Sequence, residues 1–220
     1  MLTIDIHTHI IPKNWVNLEK KFGYGGWVQL HHKKNGCATM IRDGEEFREI
    51  KPNSWDPQIR LAECNRHSVD VQVLSTVPVM FSYWAKPEDA YDLSKFLNDD
   101  LSQTVEQYPH RFIGLGTLPL QKPELAIKEL ERCINHLKFQ GVQIGTNING
   151  KNLNEPEFLE FFSAAESLNA SIFIHPWDMM GEKEMKRYWL PWLVGMPAET
   201  SRAMCSILMG GILEKFPNLK

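Results

Sequence analysis

The residues best suited to chemistry stand at the start of the chain, where the apolar run Leu2-Thr3-Ile4-Asp5-Ile6 leads into His7-Thr8-His9. Side chains two apart on a strand share a face, so both imidazoles can reach one metal ion. The pattern alone is a weak signal, because 8 His in 220 residues give a His-x-His pair by chance in roughly one sequence in four. Position adds weight: in α/β folds, ligands gather at the carboxyl ends of strands, where loops open a cleft. A second signal lies far downstream, where Ser171-Ile172-Phe173-Ile174 reads as a buried strand and runs directly into His175-Pro176-Trp177-Asp178. Three strand-terminal imidazoles, His7, His9 and His175, predict one shared metal site.

The elements that must position them alternate from residue 56 onward. Asp56 and Pro57 have the character of an N-cap and first helical residue, predicting a helix to about Arg66, followed by a β-branched strand over Val69–Leu74. A long amphipathic helix is predicted from Pro87 to about Gln107, then a strand over Phe112–Leu118 and a helix from Pro123 to about Leu137. Strand Gly141–Ile144, helix Glu155–Leu168 and strand Ser171–Ile174 continue the rhythm. With the first strand this makes five βα-type units, hence a parallel sheet with helical crossovers, either a barrel or a doubly wound sheet. The stretch 23–55 breaks the pattern. Trp27–His31, Cys37–Ile41 and Glu46–Ile50, separated by Gly-containing turns, predict a small antiparallel β insertion after the first strand.

Composition excludes several function classes. The chain is 43% hydrophobic and 23% charged with a formal net charge of −3, which describes an ordinary soluble protein with one sizeable core. Its Lys and Arg are dispersed, so no nucleic-acid footprint is read. No stretch suits a signal peptide or a transmembrane helix, so no membrane partner is expected and the cytosol is the expected location. Cys37, Cys64, Cys133 and Cys205 are too scattered for a zinc knuckle and are expected to be reduced thiols. Trp177, Trp189 and Trp192, with Tyr188 and Phe173, form an aromatic-rich stretch suited to a pocket rim or an interface. The methionines 179, 180, 196, 204 and 209 are expected to fill gaps in the core or to pack between helices.

A helix is predicted over Ala198–Glu214, and Phe216-Pro217-Asn218-Leu219-Lys220 has the composition of a turn introducing another strand. Five units cannot close an eight-stranded barrel, so the sheet is either open and complete or part of a larger barrel.

Longer strings sharpen the reading. Phe22-Gly23-Tyr24-Gly25-Gly26-Trp27-Val28-Gln29-Leu30, the run from Ser75 to Asp89, and Tyr188 through Thr200 resemble the 2-amino-3-carboxymuconate-6-semialdehyde decarboxylase family of the metal-dependent amidohydrolase superfamily. The resemblance extends over residues 1–220. It implies a (β/α)8 barrel with a small insertion near its start, here an incomplete one of about five units lacking strands 6–8. It also implies one catalytic Zn2+ held by His7, His9 and His175, a substrate carboxylate held by Arg48, and Trp192 as a pocket aromatic. The family's carboxylate ligand on the eighth strand and its active-site histidine after the sixth would fall beyond Lys220, so no catalytic residue is assigned within this stretch. The implied reaction is non-oxidative decarboxylation of a small dicarboxylate semialdehyde, in a homodimeric enzyme needing no organic cofactor. Amide or ester hydrolysis on the same scaffold is one alternative. A non-catalytic product, poorly soluble because of its unpaired sheet edges, is the other.

Overall fold

The computed structural model describes residues 1–220. Its main sheet has five strands, β1 (Ile4–Ile10), β5 (Val71–Thr76), β6 (Phe112–Thr117), β7 (Gly141–Gly145) and β10 (Ser171–His175), in that spatial order and all parallel. Between them run the helices α2 (Pro57–Arg66), α3 (Pro87–Gln107), α4 (Pro123–Asn135) and α5 (Leu159–Ser167), and α6 (Met196–Met209) follows β10. This is a parallel half-barrel, as the alternation of βα units predicts.

The β insertion is also present. Strands β2 (Val28–His32), β3 (Ala38–Arg42) and β4 (Glu45–Ile50) pair antiparallel in chain order, preceded by the short helix α1 (Leu18–Phe22). Trp27, Val28 and Met40 pack with Leu18 and Ile11 against Val79, Met80 and the first half of α3. The meander is thereby fixed to the mouth of the sheet instead of hanging free.

Several boundaries differ from the sequence reading, each for a local reason. The second barrel strand begins at Val71 rather than Val69, because the Val69 N–H closes the end of α2 on the Cys64 carbonyl and Ser68 turns the chain at φ 55°. The helix expected over Ala198–Glu214 is two, α6 and α7 (Ile212–Lys215), broken at Gly210-Gly211, where Gly211 has φ +71°. The helix expected over Glu155–Leu168 opens as a 3-10 turn at Pro156–Phe158. A two-stranded hairpin, β8 (Asn147–Ile148) with β9 (Lys151–Asn152), was not anticipated. The methionine reading fails at Met180, Met204 and Met209, which are exposed, because nothing in the structure packs on the outer face of that region.

The largest core cluster lies about β7, β10 and helices α4 and α5, where Leu118, Leu130, Val142, Ile144, Phe158 and Phe161 are fully buried. Both margins of the sheet lack a full strand partner. On β1, Ile4 and Ile6 are exposed; beyond β10, only the Lys220 carbonyl reaches the edge, accepting from the Ile172 N–H at 2.9 Å. All four cysteines are unpaired.

Candidate metal centre

His7 and His9 leave the carboxyl end of β1, and a β-bulge between Asp5 and Thr8 aims them. Asp5 lies opposite Gln72 and His9 opposite Ser75. Gln72 and Ser75, three apart, point to opposite faces of β5. Asp5 and His9, four apart, would share a face on a regular strand. The extra residue of the bulge separates them: the Asp5 carboxylate accepts from Gln72 Nε2 on the helix side, whereas His9 meets Ser75 on the inner side. Arg60 of α2 pins the strand end from behind, donating from Nη2 to the His9 carbonyl at 2.6 Å and the Asn53 carbonyl at 2.7 Å.

His175 ends β10 and comes back across the concave face of the curled sheet. The ring centroids of His7 and His175 are 4.9 Å apart, and His9 lies 5.1 Å from each. One ligand nitrogen from each ring falls within a span of 4.8 Å. Two nitrogens bound at about 2 Å to one ion lie at most about 4.2 Å apart, so a single first-row divalent ion would be gripped after the rings close by a few tenths of an ångström. Burial, then the charges of the neighbouring His175 and His7, hold His9 down to about 3, against a smaller opposing effect of the Thr76 carbonyl. Burial likewise lowers His175 to about 4, opposed by the Pro176 carbonyl and aided by His7. Both rings are therefore neutral near pH 7, the state in which imidazole offers a lone pair to a metal.

The loop after His175 is clamped by Glu199 of α6, whose carboxylate is fully buried. It accepts from Thr146 Oγ1, Asn147 Nδ2, the Met180 N–H and Arg202 Nη1 at 2.9–3.2 Å. Upstream of α6, Tyr188 and Trp189 both take left-handed backbone angles and lead into a π-helical turn, Pro191–Gly195. That irregular segment sets Trp192 into an open cleft shared with His7, Phe173, His175 and Thr200. Tyr188 and Trp189 are exposed, with Trp189 packed on Trp192 at 4.9 Å between centroids.

The structure thus gathers four of the five site residues expected from sequence. The fifth, Arg48, is on β4 opposite Met40, exposed, with no side-chain hydrogen bond or ion pair, and does not line the cleft at the histidines. Sequence reasoning missed Ser75, Gln143, Arg60 and Glu199. Gln143 did leave a signal, a long polar side chain between Val142 and Ile144 in a strand read as buried. Arg60 and Glu199, as charged residues on amphipathic helices, left none.

A family model described as amidohydrolase matches residues 4–220. The chain belongs to the amidohydrolase family. Over 219 residues it is 58% identical to a 2-amino-3-carboxymuconate-6-semialdehyde decarboxylase of Dictyostelium discoideum, covering 100% of this chain and 61% of that relative. Among solved structures, the IDCase of Metarhizium anisopliae in apo form superposes with a TM-score of 0.81 at 21% identity, covering 100% of this chain and 64% of that one. A 5-carboxyvanillate decarboxylase of Novosphingobium aromaticivorans, complexed with manganese and 4-hydroxy-3-methoxy-5-nitrobenzoic acid, superposes with a TM-score of 0.75 at 20% identity, covering 100% and 63%. The chain therefore spans about three fifths of the length of these relatives.

Proposed function

We propose that this chain supplies the metal-holding part of a zinc-dependent, non-oxidative decarboxylase that converts 2-amino-3-carboxymuconate 6-semialdehyde to 2-aminomuconate semialdehyde and CO2, in the kynurenine branch of tryptophan breakdown. The observation that carries the reading is the meeting of His7, His9 and His175 at the strand ends, in a chain 58% identical to a decarboxylase so named. The neutral nitrogen donor set suits Zn2+, and a related fold holds manganese. A bound ion of this kind supplies Lewis acidity and activates water near neutral pH.

The remaining roles fall to this chain's own side chains. His9 and His175, half-buried and buried, are kept unprotonated and oriented to hold the ion, and His7 closes the set from the exposed side. Trp192, with Phe173 behind His7 at 5.3 Å, offers a face on which a planar conjugated substrate stacks. Arg48 stands on β4 outside the cleft at the histidines; the part proposed for it, holding a substrate carboxylate through its planar guanidinium, rests on the family resemblance. No helix is long and apolar enough to cross a membrane, and a cytosolic homodimer acting on a small dicarboxylate accords with the reading.

The test is made in the full-length protein. His9→Ala and His175→Ala should each abolish CO2 release and lower zinc content together, whereas Arg48→Ala should reduce turnover with zinc retained. Release of a new carboxylate and amine in place of CO2 would replace decarboxylation with hydrolysis, and full activity after exhaustive chelation would remove the metal.

A further inference from the structure

Behind the three histidines lies a polar chain that joins β1, β5 and β7 across the concave face of the sheet. Ser75 Oγ is 3.3 Å from His9 Nδ1, 2.6 Å from Gln143 Oε1 and 3.1 Å from the Thr8 carbonyl. Gln143 Nε2 donates to the Thr76 carbonyl at 3.0 Å. Ser75 is 3% exposed and Gln143 fully buried, so solvent supplies no alternative partners.

Donor counting fixes the protons along this chain. A backbone carbonyl only accepts, so the Gln143 amide must turn its NH2 to Thr76 and its oxygen to Ser75. The Ser75 hydroxyl has one proton, and both of its other neighbours, Gln143 Oε1 and the Thr8 carbonyl, are pure acceptors. The 2.6 Å contact with Gln143 Oε1 must carry that proton, because two oxygens this close without a hydrogen between them would repel, so the side of Oγ facing His9 presents a lone pair. His9 Nδ1 must then carry the hydrogen, leaving Nε2 with its lone pair free. His175 reaches the same state by a different route, since its Nδ1 lies 2.9 Å from the Pro176 carbonyl, again an acceptor only.

We propose that Ser75 and Gln143 are positioning residues that lock His9 in the Nδ1–H tautomer, and with it the ring orientation, so that Nε2 is offered to the ion. This rests on the metal reading above. Outer hydrogen bonds of this kind typically change metal affinity by about 10–100-fold when removed. Gln143 is essential to this lock. Without its oxygen, Ser75 is free to turn its proton toward His9 and favour the opposite tautomer.

The experiment is zinc affinity of the metal-free full-length protein by chelator competition, with the His9 tautomer read from 15N–1H two-bond correlations before zinc is added. Ser75→Ala and Gln143→Leu should bind zinc about 10–100-fold more weakly and show His9 with Nε2–H populated, and Ser75→Thr should restore both. An Nε2–H tautomer for His9 in the unsubstituted protein overturns the proposal without any variant having to fold. Unchanged affinity in Ser75→Ala and Gln143→Leu also overturns it. Loss of zinc in His9→Ala and His175→Ala with Ser75→Ala unaffected refutes the positioning role alone. An unsubstituted protein that binds no zinc, or alanine variants at both histidines that bind it as tightly, removes the metal reading and this inference together.

Discussion

Glu199→Gln is nearly isosteric and removes one charge from a site with no access to water. The native carboxylate meets four donors with two oxygens: Thr146 Oγ1 and Asn147 Nδ2 on one, the Met180 N–H and Arg202 Nη1 on the other. A glutamine must turn its NH2 toward one of these pairs. Facing Met180 and Arg202 it would meet two groups that cannot accept. Facing Thr146 and Asn147 it meets one hydroxyl able to reverse its role and one amide that keeps the Trp177 and Asp178 carbonyls as partners, so this is the arrangement expected. At least one charge-assisted hydrogen bond is lost, and the bond to Arg202 is weakened. At about 1.5–3 kcal/mol for a hydrogen bond to a charged group, the loss should be about 3 kcal/mol. Glu199→Ala, which leaves all four donors without it, should exceed this. The assay is urea unfolding of the full-length protein at pH 7, followed by zinc affinity, since the same carboxylate holds the loop that leaves His175. A loss under about 1 kcal/mol in Glu199→Gln, with affinity unchanged, would refute the claim that this carboxylate organises the loop.

Burial alone raises Asp100 from 3.8 to about 6, so between these values the folded state holds a proton that the unfolded chain has lost, and stability falls as pH rises through that window. Asp100→Asn should therefore stabilise by about 1–2 kcal/mol above pH 6, discounted for partial exposure, with no gain below pH 3.8; thermal melts across pH 3.5–7.5 that show a pH-independent difference would contradict this. A Cβ at Gly141 would run into the Ser171 carbonyl of the adjacent strand, so Gly141→Ala should cost about 3 kcal/mol or more and weaken zinc binding by displacing β10, as read by denaturation and chelator competition. Arg60→Lys keeps the charge but loses the fork that spans the His9 and Asn53 carbonyls and Gln72, and should destabilise by about 2–3 kcal/mol; an unfolding midpoint identical to that of the unsubstituted protein would argue against it.

The alternation of βα units was legible because α2, α3 and α4 each open on a proline, with an aspartate cap at α2, and each strand of the main sheet is a short, largely apolar run bounded by polar turns. The same local rules located His7, His9 and His175 at strand ends. What periodicity could not reveal was the β1 bulge: a one-residue slip becomes visible only against the strand it pairs with, and β5 lies some sixty residues away. Nor could it reveal the Ser75–Gln143 contact, which depends on how sharply the sheet curls, or that Glu199 faces a loop rather than solvent. The break in the helix expected over 198–214 has the opposite origin. Gly210-Gly211 is visible in the sequence, but a glycine pair can continue a helix as well as end one, and only the left-handed angle at Gly211 decides for the break.

The spacing of the three imidazoles along the chain also governs when the site can exist. His9 and His175 are roughly 170 residues apart, and at about 5–20 residues per second of synthesis the third imidazole is made about 10–30 s after the first two. During that interval a nascent chain has only the His7–His9 pair, two exposed donors with no fixed orientation and no discrimination between metals. Selective capture must wait until β10 has docked on β7. Ion loading is then a late event for this half-barrel, a fastening applied to the two far margins of an already curled sheet. Withdrawal of the ion should accordingly be felt first at β1 and β10, as faster amide hydrogen exchange there, while the β6–β7 centre remains protected.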